Sequence, residues 1–200
     1  MLKCILLLAI TTAALSNSKL ILAQDTDLGR VFDFEFRSGV HRLDLNADGI
    51  PDWLTIGYIS SGTAHGQFDF SFLISRPDDF SPRQQELWTV VPYNESKNYF
   101  ITLRNADCVL RSIQLVKLGS DQNDWKLVLM ERTSVPGGGF TESPVEFRLL
   151  RLRRASTAGS PVFSYRQVTQ LVSVGSYCNV NEAFESEWDQ ISGLFERSLE

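Results

Sequence analysis

From residue 68 to residue 74 the chain places Phe68, Phe70, Phe72 and Ile74 on one parity, with Asp69 and Ser71 between them. In an extended strand successive side chains point to opposite faces, so this spacing lines three aromatic rings along one side. A helix would scatter the same positions round its axis. Such a strand must be covered by another layer. Residues 31–37 alternate in the same way, with Phe32, Phe34 and Phe36 against Asp33, Glu35 and Arg37. Further strand-like runs span 53–59, 86–93, 109–117, 125–133, 145–153 and 162–174, the last as one strand or a pair. Residues 60–66 and 76–83 read as turn and loop, and 94–107 as irregular. Residues 135–144, with Gly137, Gly138 and Gly139, read as the flexible tip of a long hairpin.

The period changes near the end of the chain. Phe184, Trp188, Ile191 and Phe195 recur at helical spacing, Asn179 or Asn181 can cap, and Glu182 and Glu185 fall in the first turn. The aromatic stripe of this helix reads as core packing. The expected fold is therefore all-β: an antiparallel β-sandwich or distorted barrel with one C-terminal α-helix against it. With no internal repeat and no second boundary, residues 24–200 read as one β-rich domain.

The first residues set the compartment. Met1, Leu2 and Lys3 precede an apolar run from Cys4 to Leu15 and then small polar residues, the layout of a secretory signal over residues 1–23. The cut can fall anywhere from Ser16 to Ala23. Cys4 lies too early in the run for lipid attachment, and no later stretch is long and apolar enough to span a bilayer. A periplasmic or secreted protein without stable membrane insertion is expected. Removing the signal takes Lys3 and Lys19 from the 19 basic residues and leaves 17 against 24 acidic ones, a formal charge of −7. That balance argues against nucleic acid or anionic lipid as the main partner. Cys108 and Cys178 are then the cysteines that remain. In an oxidising compartment they read as a disulfide, and closing 70 residues stabilises by about 4 kcal/mol in the chain-entropy model. The competing reading is two buried free thiols. The oligomeric state is not legible.

One loop carries a ligand pattern. Asp44-Leu45-Asn46-Ala47-Asp48-Gly49-Ile50-Pro51-Asp52 has the form D-x-N-x-D-G-x-x-D. Oxygen side chains at alternate positions before a glycine suit Ca²⁺: Asp44, Asn46 and Asp48 can converge, Gly49 takes the bend, and the Ile50 carbonyl and Asp52 close the shell. An EF-hand would carry a bidentate Glu at the twelfth loop position, which here is Thr55. The expected ion is a structural staple at a turn between two strands. The competing reading is a turn held by Asx hydrogen bonds alone.

Catalytic patterns are missing. There is no G-x-S-x-G elbow, and S-x-x-K occurs only at Ser16 to Lys19, in or beside the signal. His41 and His65 stand 24 apart with no H-x-H or H-E-x-x-H, so a zinc hydrolase has no ligand set. No G-K-[ST] follows the triple glycine, which excludes a phosphate loop. No catalytic residue is assigned, and the expectation is a protein that is not an enzyme. Two residues are candidate ligand contacts. His65 lies in a turn beside Asp69, and the Glu131-Arg132 pair could offer a guanidinium to a ligand carboxylate, against a plain ion pair between strands.

The order of segments resembles the periplasmic carbapenem self-resistance proteins of the CarG type. The resemblance rests on the signal, the residue 44–52 loop, Ala64-His65-Gly66-Gln67-Phe68-Asp69 leading to Phe72 and Ile74, Ala106-Asp107-Cys108-Val109-Leu110, and Leu129-Met130-Glu131-Arg132 before a glycine-bearing loop. It covers most of the chain after the signal. A single D-x-N-x-D-G copy argues against a propeller, which needs several blades. The resemblance implies an exported, non-hydrolytic protein of carbapenem resistance or immunity that binds the antibiotic or blocks its action. The alternative is a calcium-stabilised extracellular module that binds glycan or protein.

Overall fold

The computed structural model describes residues 31–32, 38–60, 62, 66–76, 87–93, 97–105, 107–119, 124–133 and 141–199. In chain order the elements are β1 (Val31–Phe32), β2 (Gly39–Leu43), β3 (Asp52–Ile59), β4 (Gln67–Arg76), β5 (Leu87–Val90), β6 (Phe100–Ile101), β7 (Leu103–Arg104), β8 (Val109–Lys117), β9 (Trp125–Arg132), β10 (Val145–Arg154), β11 (Phe163–Val172) and α1 (Val180–Arg197). Two antiparallel sheets result. The outer sheet runs β2-β3-β4-β5, with β6 also on β4, and the central sheet runs β1-β8-β9-β10-β11, with β7 also on β8.

Alternation explains the layering. Phe70, Phe72 and Ile74 of β4, with Leu54 and Ile56 of β3, pack against Ile113, Leu115, Leu127, Leu129, Leu150 and Tyr165 of the central sheet. The opposite parity of the central strands is equally apolar. Val116, Val128, Met130, Val145, Phe147 and Leu149 meet Val180, Ala183, Phe184, Ile191 and Phe195 of α1. The central sheet is therefore buried on both faces, which is why β9 reads as a nearly continuous apolar run and β4 does not. Phe72 and Phe100 each meet the Tyr165 ring edge-on, at 5.3 and 5.8 Å between centroids.

The two sheets do not close on each other, so the architecture is a sandwich and not a distorted barrel. The stretch read as irregular contains β6 and β7, each two residues long. Runs that short fall below any periodic signal, and they form because the chain crosses there from one sheet to the other. Thr102 binds the outer sheet through its N–H to the Phe68 carbonyl, while the next residue, Leu103, pairs with Arg111 of the central sheet. The run at 86–93 holds strand geometry over Leu87–Val90, and 162–174 is one strand, bulged opposite the Leu149/Leu150 step. Residues 1–23, expected as a signal, residues 33–37 and the triple glycine lie outside the described residues. Among the described residues, no helix is long and apolar enough to cross a membrane.

Candidate functional site

The Asx-rich loop joins β2 to β3. Ala47 at φ 59° and Gly49 at φ 83° both take left-handed backbone, which curls the loop tightly enough for side chains to reach its own amides. Asp44 accepts from the N–H of Asp48 at 3.1 Å and of Gly49 at 2.9 Å. Asp48 accepts from the Ile50 N–H at 2.8 Å and from the Asn46 amide at 2.8 Å. Asn46 in turn accepts from the Asp48 N–H at 3.2 Å. Asp44, Asn46 and Asp48 are thus brought together on one turn, with Ile50 next to them.

Asp52 goes elsewhere. As the first residue of β3 it has the parity of Leu54 and Ile56, and its fully buried carboxylate accepts from Leu45 N–H and Ser75 N–H, each at 2.8 Å. Burial pushes its pKa up to about 6 against the pull of those two amides, and the charges of Asp48 and Asp44 add to the rise. The geometry therefore divides the proposed ligand set: a trio on the turn, with Asp48 exposed and Asp44 and Asn46 half-buried, and a buried carboxylate beneath it that pins the loop to β4. Among the described residues, no group of three or more His, Cys, Asp or Glu side chains is placed to hold a metal. The trio has two carboxylates and one amide, so it fits an oxygen-ligated cation only if water and the Ile50 carbonyl supply the remaining positions.

The other sequence candidates separate. Arg132 donates from Nε to Ser143 Oγ at 3.0 Å, from Nη1 to the Cys178 carbonyl at 3.4 Å and from Nη2 to the Thr141 carbonyl, lacing the strand after the hairpin to the entry of α1. Its neighbour Glu131 makes the ion pairs between strands, one oxygen to Arg111 of β8 and the other to Arg148 of β10. His65 lies outside the described residues. Cys108 and Cys178 form a disulfide with Cα atoms 5.3 Å apart, joining the residue before β8 to the residue before the cap of α1. Asn179 is that cap, its side chain accepting from the Asn181 N–H at 2.9 Å.

Two groups were not singled out by the sequence. Glu187 reaches back from α1 to accept from Val174 N–H, Gly175 N–H and the Tyr177 hydroxyl, each at 2.9 Å. Burial pushes this carboxyl up, but the Gly175 and Val174 amides and the Tyr177 hydroxyl together hold it below its ordinary range. The second group is the Arg111, Glu131, Arg148 and Glu146 cluster, of which the sequence reading names only Glu131, and in which Arg148 Nε lies 2.7 Å from Glu146. Charged residues alternating along strands were the available signal, but alternation alone does not say which strands are neighbours.

The fold and the loop define a class: a two-sheet antiparallel sandwich backed by a C-terminal helix, with an Asx-rich turn entering its outer sheet. This architecture is similar to that in the crystal structure of CarG, with a TM-score of 0.64 at 23% identity over 74% of this chain and 90% of CarG. At that identity the likeness is one of fold. No protein-family model and no curated protein sequence matches the chain.

Proposed function

We propose that this is an exported, non-hydrolytic protein of carbapenem resistance or immunity, which binds the antibiotic or blocks its action. The observation that carries the reading is the CarG fold, which extends over 90% of CarG and agrees with the order of motifs read from the sequence. The lack of any nucleophile elbow, S-x-x-K after the signal, or histidine cluster supports action without hydrolysis. In the same proposal Ca²⁺ is a structural staple at the turn, received by Asp44, Asn46, Asp48 and the Ile50 carbonyl, with Asp52 tying the loop from below.

The test is periplasmic expression in a carbapenem-sensitive host, with susceptibility and drug concentration followed together. Raised resistance with intact drug is the expected result. Unchanged susceptibility removes the reading, and drug breakdown replaces it with an enzyme. The alternative, a glycan-binding or protein-binding module, is supported by one observation. The outer sheet carries Trp53 and Trp88 on its outward parity, 5.4 Å apart, with Arg42 5.2 Å over Trp53 and exposed Val40 and Val90 beside them. Loss of ligand binding in a glycan array on Trp88→Ala, with no effect of the protein on susceptibility, would favour that module.

A further inference from the structure

We propose that the open end of the sandwich beside β6 and β7 is a binding site for a small carboxylate with an apolar ring body, bounded by Tyr58 and Phe68, by Leu103, and by Arg111 and Arg148. That the occupant is a carbapenem rests on the function proposed above.

The placement follows from register. On β3, Leu54 and Ile56 face the central sheet, so Tyr58 has the same parity, and its cross-strand partner Phe68 packs against the same core. Tyr58 is nevertheless 54% exposed. Its ring meets Phe68 at 5.2 Å and lies over Gly66, where any side chain would collide with it. On the central sheet, Arg111 and Glu131 are paired, Arg148 is paired with the core residue Leu129, and Ile113 and Leu129 face the outer sheet. Arg111, Glu131 and Arg148 therefore share the face that meets the outer sheet.

The crossing puts the two sets at one end. Thr102 is bonded to Phe68 in both directions, and Leu103, the next residue, pairs with Arg111. Leu103 is 38% exposed at that corner. The aromatic pair and the two guanidiniums thus lie toward the same end of the sandwich, with exposed Leu103 between them in the chain crossing.

Charge selects the occupant. Arg111 and Arg148 converge on one carboxylate, Glu131, each taking one of its oxygens, Arg148 Nε also lies 2.7 Å from Glu146, and the arginine side chains keep 29% and 23% exposure. Two guanidiniums aimed at one carboxylate form the geometry that receives a carboxylate from solution, with Glu131 as the internal competitor. A neutral apolar ligand would leave that pair unused, and a bare inorganic anion would leave Tyr58 unused.

Calorimetric titration of the full exported protein with 1-naphthoate and with a carbapenem tests the site. Both are expected to bind, the methyl ester of naphthoate at least about tenfold more weakly, and the Arg111→Gln/Arg148→Gln protein at least about tenfold more weakly for both acids. Tyr58→Ala, at an exposed position, is expected to weaken binding about threefold to tenfold. Glu131→Gln keeps the packing, frees Arg111 and leaves Arg148 tied only to Glu146, so it is expected to tighten binding severalfold, a gain that a purely structural ion pair would not give. Binding of naphthoate alone, with the same dependence on arginine, supports the site and removes the carbapenem as occupant. Carbapenem binding unaffected by these substitutions overturns the site and leaves the proposed function standing. No binding of either acid to the folded protein, or no gain in Glu131→Gln, also overturns the site.

Discussion

At Asp52 a single carboxylate decides how the loop meets the sheet. Both oxygens are taken by buried amides, Leu45 N–H and Ser75 N–H. Asp52→Ala leaves those two donors without partners, at about 1 to 3 kcal/mol each, so a loss of about 2 to 6 kcal/mol is expected in urea unfolding. The same residue gives a pH signature. Its folded pKa of about 6 lies above the ordinary 3.8, so the native state holds this proton more tightly than the unfolded chain does. The stabilisation is fully present below pH 3.8 and is lost as pH rises through about 6, a change of about 3 kcal/mol. Unfolding free energies of wild type and Asp52→Asn measured from pH 3.5 to 7 should diverge with that slope, and parallel curves would show that the carboxyl does not titrate there. Glu187 works in the opposite sense, contributing above its ordinary 4.5 and less as pH falls through its lowered folded value. The sequence singled out Asp52 as a cation ligand, and the geometry gives both of its oxygens to amide donors. Parity alone, with Asp52 in step with Leu54 and Ile56, already pointed it inward.

Among the described residues, elements were legible where the period was long enough to measure. The strand at 109–117 and the helix carrying Phe184, Trp188, Ile191 and Phe195 stand where periodicity placed them. The helix is held mainly by its buried face: Phe195 is fully buried against the central sheet, and Phe195→Ala is expected to cost about 3 to 5 kcal/mol, read as a lowered unfolding midpoint at unchanged m-value. The disulfide belongs to the same scale, because it anchors the entry of that helix. Replacing Cys108 and Cys178 by serine should destabilise by about 2 to 5 kcal/mol, and non-reducing peptide mapping of periplasmic material should recover the Cys108 to Cys178 link. For the Asx-rich turn, a chelator should lower the melting temperature if a cation staples Asp44, Asn46 and Asp48, and Asp48→Ala should remove the difference between calcium and chelator. Superimposable melting curves would leave the turn held by its own amide hydrogen bonds.

For the whole molecule, the export proposal predicts that periplasmic protein begins after a cut between Ser16 and Ala23, which intact-mass measurement reads directly; a full-length chain retained in the cytoplasm would reject it. The architecture follows from two patterns that the sequence displays together. Alternating phenylalanines require a strand with one covered face, and the apolar run of 125–133 requires one covered on both. A C-terminal amphipathic helix then supplies the third layer. These facts are local, because each depends on a period within one segment, and so the sequence by itself determined an antiparallel all-β layering with a terminal helix, sandwich or barrel, and placed Asp44, Asn46 and Asp48 on one turn. Which segments are neighbours is not local. The crossing at Thr102 and Leu103 links the strand of Phe68 to the strand of Arg111, the register of β8, β9 and β10 sets two arginines on one glutamate, and the choice between sandwich and barrel depends on edges that never meet. Residues far apart in sequence come together only when both sheets have packed, and the free energy that fixes their register is the burial of the shared core, a quantity no single segment contains.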